Sequence, residues 1–346
     1  MKNVKTLLIF IIISACMFAS AQRVESLGGN VGYWSDDDNS WTAFPHTINK
    51  SNLAQVSGLG VDGGHNAIVR WGEGTKWGFT WDQASENDMV NLQWGNGTYG
   101  ATFGLAMAAS DNGTTSTSST GISASFGMEQ DFGEIGVGFS NSSMDDGSDA
   151  TTDDPSAMGL SVNVRRDQSI WLFDKMLIGF IYSSDNEISD DDGPTGVGQK
   201  DATTNMTLST SSYTHLNISE NTTALVAMGF KYNAIANGDA SATTIAFPTW
   251  TFGVESAMTD WATVRMGVNA GYVLSATANS GVANAKDVTG RGGMDTGFSV
   301  GIGFNYGSFN LDMSVSENLF TNPVAHITGF EDLNDENATA TLTYVW

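Results

Sequence analysis

Few of the side chains that could do chemistry stand at catalytic or metal-binding spacings. The only cysteine, Cys16, lies near the N-terminus in a predicted leader, so an exported chain would have neither disulfides nor thiolate ligands. The four histidines are far apart, and none belongs to a metal-ligand motif: His46, His65, His215 and His326. We therefore expect no metal centre, no cofactor and no enzymatic activity.

Two glycine patterns match known motifs in their letters alone. Residues 297–301 fit G-x-S-x-G, but a nucleophile elbow joins a strand to a helix, and here the pattern continues as a strand. Residues 58–63 fit G-x-G-x-x-G, but no helical pattern follows to present an N-terminus to a pyrophosphate. Both are interpreted as glycines of strands and turns.

Acidic residues are grouped in polar stretches. The chain has 38 Asp and Glu against 14 Lys and Arg, a formal charge of −24, which would repel nucleic acid. None has EF-hand spacing, and three interpretations of the groups stay open: solvated loop tips, specific calcium sites, or weak divalent-cation bridges to anionic lipid headgroups. The groups are Asp145-Asp146 with Asp149, Asp153-Asp154, Asp185 with Glu187, Asp190-Asp191-Asp192, and Glu331-Asp332 with Asp335-Glu336.

The elements that would position these groups are strands. From about residue 75 onward, apolar residues alternate with small or polar ones in segments of about 9 to 14 residues, the length of a transmembrane strand. In residues 259–274, for example, Val264 and Met266 share one face, and Arg265 and Asn269 share the other. A soluble β-sandwich alternates in the same way, so the pattern alone does not separate the two folds.

The spacing of the connections favours a membrane barrel over a sandwich, because short and long connections alternate as in an up-and-down barrel. Short turns are predicted near residues 95–97, 130–133, 168–173, 219–221, 258–260 and 306–308. Long polar loops are predicted near residues 83–88, 110–119, 141–157, 184–201, 233–243, 275–294 and 318–338. The sequence thus predicts an all-β, antiparallel transmembrane barrel of about 14 strands, within a range of about 12 to 16. Residues 53–61 and 65–71 either add two strands or belong to an N-terminal plug.

Charged residues also occur at the predicted inward-facing positions. They mix both signs among small residues, which a water-filled lumen tolerates and a lipid-facing surface does not. They either line an open pore or pair with one another and fill a closed barrel. These candidate lumen-lining residues are Glu134, Arg165, Lys231, Arg265 and Asp312.

Both ends of the chain carry export signals. Residues 1–21 have the basic start, apolar run and Ala-Ser-Ala cleavage site of a signal peptide. A second route stays open, because residues 13–16 resemble a lipobox in which Cys16 would be lipidated. At the other end, Tyr344 and Trp346 resemble the C-terminal signature that barrel-assembly machinery reads. We expect a protein of the bacterial outer membrane.

The segment between the leader and the barrel has its own signature. Residues 22–52 contain Leu27-Gly28-Gly29, then Asp36-Asp37-Asp38, then Phe44-Pro45. This order resembles the N-terminus of the long-chain fatty-acid transport channels of the outer membrane (FadL-like) and of related secretion-associated barrels (PorV-type). The family has Asn-Pro-Ala where this chain has Phe44-Pro45-His46. The resemblance implies that residues 22–52 fold into the lumen as a plug.

Together these observations predict a leader (residues 1–21), a plug (22–52) and an outer-membrane barrel (53–346). The expected function is passive diffusion of small solutes, hydrophobic ones among them. One alternative is a non-conducting barrel with a structural, adhesive or secretion-associated role, and another is a soluble or lipidated surface β-sandwich that binds ligand. The expected partners of a barrel are outer-membrane lipid, the assembly machinery and the diffusing solute.

Overall fold

The computed structural model describes residues 22–59, 65–84, 87–111, 116–145, 155–189, 199–280, 288–292, 294–316 and 337–346. The predicted leader with Cys16, His326 and most of the acidic groups lie outside these residues. So does part of the G-x-G-x-x-G pattern. Of the described helices, none is long and apolar enough to cross a membrane.

Short helical turns come first and strands follow. Residues 22–50 form helix α1 (Gln22–Glu25) and three 3₁₀ helices, Val31–Tyr33, Ser40–Thr42 and Pro45–Asn49. The strands are β1 Leu53–Leu59, β2 Asn66–Trp71, β3 Lys76–Ala84, β4 Asn87–Gly95, β5 Tyr99–Asp111, β6 Ser116–Gln130, β7 Gly133–Asp145, β8 Ser156–Ile170, β9 Phe173–Ser189, β10 Gln199–Ser219, β11 Thr222–Asn237, β12 Ala240–Thr259, β13 Ala262–Asn279, β14 Val288–Gly290, β15 Met294–Tyr306, β16 Phe309–Ser316 and β17 Asn337–Val345.

The strands form one closed antiparallel sheet. Each strand pairs with its neighbours in the chain, and β1 pairs with both β2 and β17, which closes the barrel. The three-residue β14 pairs with the distal part of β13, and β15 pairs with the rest of β13. The wall therefore has sixteen positions, with β14 as an extra strand.

The predicted number of about 14 strands is too low. Residues 53–59 and 66–71 are wall strands β1 and β2, which accounts for the difference. At 7 and 6 residues they are shorter than all the other full wall strands, of which the shortest is the 8-residue β16, so their alternation is a weak signal. Their place in the wall is set by pairing with β17, a contact from the far end of the chain.

The predicted long loop at residues 233–243 is also wrong. Strands β11 and β12 continue through this stretch, with Asn233 opposite Thr244, and a two-residue turn, Gly238-Asp239, joins them. Gly238 has a φ of 54°, a left-handed conformation that glycine adopts without strain. Backbone pairing continues beyond the apolar zone of the wall, so polar residues in this stretch do not mark the ends of the strands.

The two faces of the wall differ in burial. In β5 the side chains of Phe103, Leu105 and Met107 are exposed, whereas those of the alternating Thr102 and Ala106 are buried. In a closed barrel the buried set faces inward. The outer face is thus a broad apolar surface.

Large aromatic and apolar side chains also surround the tight-turn end of the barrel. Trp171 and Tyr306 lie in or beside tight turns and are 85% and 86% exposed. Further exposed members of this ring are Phe132, Trp261, Phe309, Tyr344 and Trp346. The rings of Tyr344 and Trp346 stack with centroids 5.7 Å apart. Such a ring is typical of the interfacial girdle of a membrane barrel.

Candidate functional site

Residues 22–50, called here the N-terminal segment, pack against the inner face of the wall. Helix α1 contacts β15, β16 and β17. Ser314 of β16 donates a hydrogen bond to Glu25 Oε2 at 2.8 Å, and Thr341 of β17 donates to Gln22 Oε1. The four-residue helix is too short to be stable alone, so these wall contacts hold its conformation.

Glycines of the wall permit a close approach of the segment. A Cβ atom at Gly127 would lie 2.7 Å from the backbone nitrogen of Pro45 and 2.8 Å from that of His46. Gly100 and Gly136 are in similar contact with the backbone of residues 43–46. The inner face is therefore flat here, and larger residues would displace the segment.

Apolar side chains anchor the segment in two clusters. Phe44, Leu27, Tyr33 and Trp34 pack with wall residues, and Phe44 is fully buried. Their wall partners are Leu177, Tyr213, Leu225 and Ala227. A second cluster joins Trp41 and Ile48 of the segment to Leu53 and Ile68 of the wall. Burial of each large side chain contributes about 1.5 to 3 kcal/mol, so the segment is firmly seated.

An ion network joins the segment to strands β12, β13 and β16. Arg23 donates to both oxygens of Glu255, at 2.9 and 3.1 Å. Arg265 donates to Glu255 Oε2 at 2.6 Å and to Asp312 Oδ1 at 2.5 Å. Burial opposes the charge on Arg23, but Glu255, Asp37 and Asp36 outweigh it and hold the pKa of Arg23 above its ordinary value.

A second ion pair joins the neighbouring strands β7 and β8 and also contacts the segment. Arg165 of β8 donates to Glu134 Oε2 of β7 at 2.5 Å and to the carbonyl of Gly32 at 3.0 Å. Its guanidinium lies 4.4 Å from the centroid of the Phe44 ring. The arginine therefore binds the segment through its charge, its hydrogen bond and its planar face.

Arg70 of β2 makes a third contact of this kind. It is fully buried, its Nε donates to Gln93 Oε1 at 2.8 Å, and its Nη1 donates to the carbonyl of Asp38 at 3.0 Å. Its guanidinium lies 5.6 Å from the centroid of the Trp41 ring. Two wall arginines thus stack on aromatic rings of the segment near the tight-turn end.

A cavity of about 410 Å³ lies between the segment and the wall of β2 to β10. Segment residues Val31, Trp41 and Ala43 line its apolar side. The wall side combines the apolar Ile68, Leu177 and Ile181 with hydroxyls, amides and glycines, which include Thr80, Asn91, Thr102, Ser123, Ser125, Gly138, Ser140, Gly159, Ser161, Asn163, Gly179 and Ser209. Among the described lining residues Asp82 is the one ionisable group. Small residues on six neighbouring strands, β5 to β10, leave this space open.

The predicted lumen-lining residues fall into two groups. Glu134 pairs with Arg165, and Arg265 pairs with Asp312, all on the inner face. Lys231 has the inward parity of buried Leu225 and Ala227 on β11, is exposed, and has no ion pair among the described residues.

The predicted plug residues all lie in the segment. Asp36 and Asp37 pair with Arg23, and Asp38 Oδ1 accepts a hydrogen bond from Ser51 at 2.6 Å. Phe44 and Pro45 are buried against the wall.

Sequence reasoning missed Arg23, Arg70 and Glu255. Arg70 lies in residues 65–71, which the sequence leaves open as a strand or as part of the plug. Arg23 and Glu255 are 232 residues apart, so no local pattern connects them. An unpaired charge at an inward position of β12 was the one signal available for Glu255.

Comparison with known proteins gives structural matches alone. No family model and no curated protein matches the chain. The ferric yersiniabactin uptake receptor FyuA from Yersinia pestis matches at 11% identity over 77% of this chain and 53% of that chain, with a TM-score of 0.40. CdiB from Escherichia coli matches at 8% identity over 85% and 62%, with a TM-score of 0.42.

A third solved structure covers nearly the whole chain. The TodX monoaromatic hydrocarbon channel matches at 9% identity over 94% of this chain and 97% of that chain, with a TM-score of 0.42. By contrast, the chain spans about half the length of three iron-uptake proteins that it matches, at 53%, 46% and 50%. The pairing register of this chain's own strands defines the barrel fold.

Proposed function

We propose that this chain is an outer-membrane β-barrel that admits small uncharged solutes to its lumen, with the N-terminal segment as a plug. The observation that carries the proposal is the cavity of about 410 Å³ between the segment and the inner wall. A volume of this order is in the range of pockets that bind small organic molecules.

The membrane location is supported by the outer surface. Exposed Phe103, Leu105 and Met107 are typical of lipid-facing positions, and the aromatic ring at the tight-turn end is typical of an interface. A water-exposed surface with so many large apolar groups would aggregate. Tyr344 and Trp346 then lie where assembly machinery in the periplasm could reach them.

The plug role is supported by the depth of the contacts. The segment is held by two apolar clusters, by Glu255 and by the stacked Arg70 and Arg165. These contacts concentrate near the tight-turn end. Solute that enters from the opposite end would reach the cavity before it reached these contacts.

The cavity lining indicates the class of solute. Hydroxyl and amide groups on the wall offer hydrogen bonds, and Val31, Trp41 and Ala43 offer an apolar surface. With Asp82 as the one ionisable group among the described lining residues, an anionic solute would lose hydration without a compensating cation in the lining. We infer a small uncharged solute with a polar and an apolar face.

Liposome swelling tests the proposal directly. The refolded chain, with folding verified by heat-modifiability on a gel, is compared with empty liposomes for influx of a monosaccharide, a hydroxylated aromatic alcohol and sulfonates of equal size. We expect faster influx of the uncharged solutes than of the sulfonates. Equal rates would contradict the solute class, and no influx at all would contradict the channel.

The second candidate is a non-conducting structural or secretion-associated barrel. It is favoured by the same anchoring of the segment, which would leave no passage if the segment never moves. Planar-bilayer recording separates the two functions: steps from the full chain support a channel, and silence from a heat-modifiable chain supports the structural role.

A further inference from the structure

A cluster of three ligand-type side chains lies where the segment meets the β6–β7 hairpin. His46 belongs to the 3₁₀ helix Pro45–Asn49, Glu129 lies near the end of β6, and Glu134 lies near the start of β7. One ligand atom from each residue lies within 4.8 Å of the others. Positions 46, 129 and 134 have no metal-motif spacing, so the fold alone brings these residues together.

The two carboxylates face each other across the hairpin. Glu129 and Glu134 are direct partners in the antiparallel register, and like charges in that position repel. Arg165 occupies Oε2 of Glu134, but Oε1 lies on the other side, 3.8 Å from His46 Nε2. Glu129 has no ion pair among the described residues, and the nearby Lys50 donates to the carbonyl of Ser35.

His46 supplies the independent observation. Its side chain is 3% exposed, and neither ring nitrogen has a hydrogen-bond partner. A buried polar group without a partner destabilises the folded state, and a ligand bound to the imidazole would remove that cost. The Nε2 atom points at the oxygen of Glu134 that Arg165 leaves free.

We propose that His46, Glu129 and Glu134 bind one divalent transition-metal ion of the Zn²⁺ class. One imidazole nitrogen and two carboxylate oxygens are a ligand set that Zn²⁺ accepts, with bonds of about 2.0 to 2.2 Å and water completing the coordination. The imidazole disfavours Ca²⁺ and Mg²⁺, which prefer oxygen.

The ion would fasten the segment to the hairpin. It would neutralise the repulsion between Glu129 and Glu134 and give His46 a partner. It would also tie residues 45–49 to the wall beside Arg165. The inference does not depend on whether the barrel conducts.

The test is a titration of the refolded full chain with Zn²⁺ and, separately, Co²⁺, in detergent without chelator. We expect one site by calorimetry and a visible Co²⁺ spectrum of nitrogen and oxygen ligands. Glu129→Gln should weaken Zn²⁺ binding by about tenfold or more. Asp131→Asn is the matched control, because it removes the same charge from the exposed turn of the same hairpin and should leave affinity unchanged.

His46→Gln provides a second variant. It should remove the nitrogen signature from the Co²⁺ spectrum while heat-modifiability reports that the barrel is intact. Wild-type affinity in both Glu129→Gln and His46→Gln would overturn the proposal, as would equal loss in Asp131→Asn. Tighter binding of Ca²⁺ than of Zn²⁺ would overturn the metal class.

Discussion

The inner wall has two unlike sides. Along β12 to β17 the inner face carries Glu255, Arg265, Asp312 and Thr341, which contact the segment or one another by charge and hydrogen bond. Along β3 to β10 the middle of the inner face carries hydroxyls and glycines and borders the cavity. On that side the ion pair of Arg165 with Glu134 lies near the tight-turn end.

The contrast indicates that one side of the barrel holds the segment and the other side borders the space for a solute. Directional ion pairs need fixed partners, so they suit the side that holds the segment in register. Small neutral side chains leave volume and offer exchangeable hydrogen bonds, so they suit the side along which a solute can lie. Variants on the two sides should therefore affect different measurements.

The largest effect on stability is expected on the charged side, from Glu255→Gln. This change leaves Arg23 and Arg265 without their shared carboxylate. Loss of one partner of a largely buried pair costs about 3 kcal/mol, the low end of the range for fully buried pairs. Trypsin should then cleave after Arg23 and Lys50 faster than in the wild type. Glu73→Gln, in an exposed turn, is the control and should leave cleavage unchanged. Equal protection of the segment in both variants would contradict the anchoring role.

A smaller loss is expected from Arg165→Lys. Lysine keeps the charge but loses the planar contact with Phe44 and the forked hydrogen bonds, at a cost of about 1 to 2 kcal/mol. The measurement is the urea midpoint of heat-modifiability. Arg166→Lys is the matched control, because Arg166 is the next residue and is exposed on the outer face. Similar midpoints for the two variants would show that the fork and the stacking contribute little.

Variants on the neutral side, along β3 to β10, should change solute influx and should hardly change the free energy of unfolding. Ser140→Phe places a ring in the cavity, where volume is available, so unfolding should change by less than about 1 kcal/mol. Influx of uncharged solutes should fall. Val137→Phe adds the same ring to the outer face of the same strand and should leave influx unchanged. Unchanged influx in Ser140→Phe would place the solute path elsewhere.

Much of the barrel was predictable because alternation and turn chemistry are local. The tight turns before Gly133, Phe173, Thr222, Ala262 and Phe309 lie where the sequence predicts them. The closure of the barrel was not predictable from local patterns, because β1 and β17 pair although nearly the whole chain separates them. Strand ends were misplaced at residues 233–243, because polarity reports the edge of the apolar zone and not the end of pairing.

The sequence predicts which charged residues face inward, but it does not predict which of them pair. Inward parity picked out Glu134, Arg165, Arg265 and Asp312, which the structure joins in pairs 31 and 47 residues apart. Which charge meets which depends on the register of neighbouring strands. The approach of His46 to the β6–β7 hairpin depends on the path of the segment, which has no periodic signal.

The smallest effect concerns pH and a single carboxyl of the segment. Burial raises the pKa of Asp37, although Arg23 and the backbone N–H of Asn39 oppose the shift. A raised pKa in the folded state favours the protonated form. This contribution to stability is therefore full below the unfolded pKa of about 4 and is lost as pH rises through the folded pKa.

Asp37→Asn mimics the protonated form, so it should flatten the pH dependence of the unfolding midpoint. Wild type and variant should converge at acid pH and separate as pH rises, with the variant losing less stability. Asp131→Asn serves as the reference, because it removes one carboxylate from the exposed turn of the β6–β7 hairpin, outside the contacts of Arg23 and Asp37. Parallel profiles for Asp37→Asn and wild type would show that Arg23 keeps Asp37 ionised, and would extend the charged side of the barrel into the segment itself.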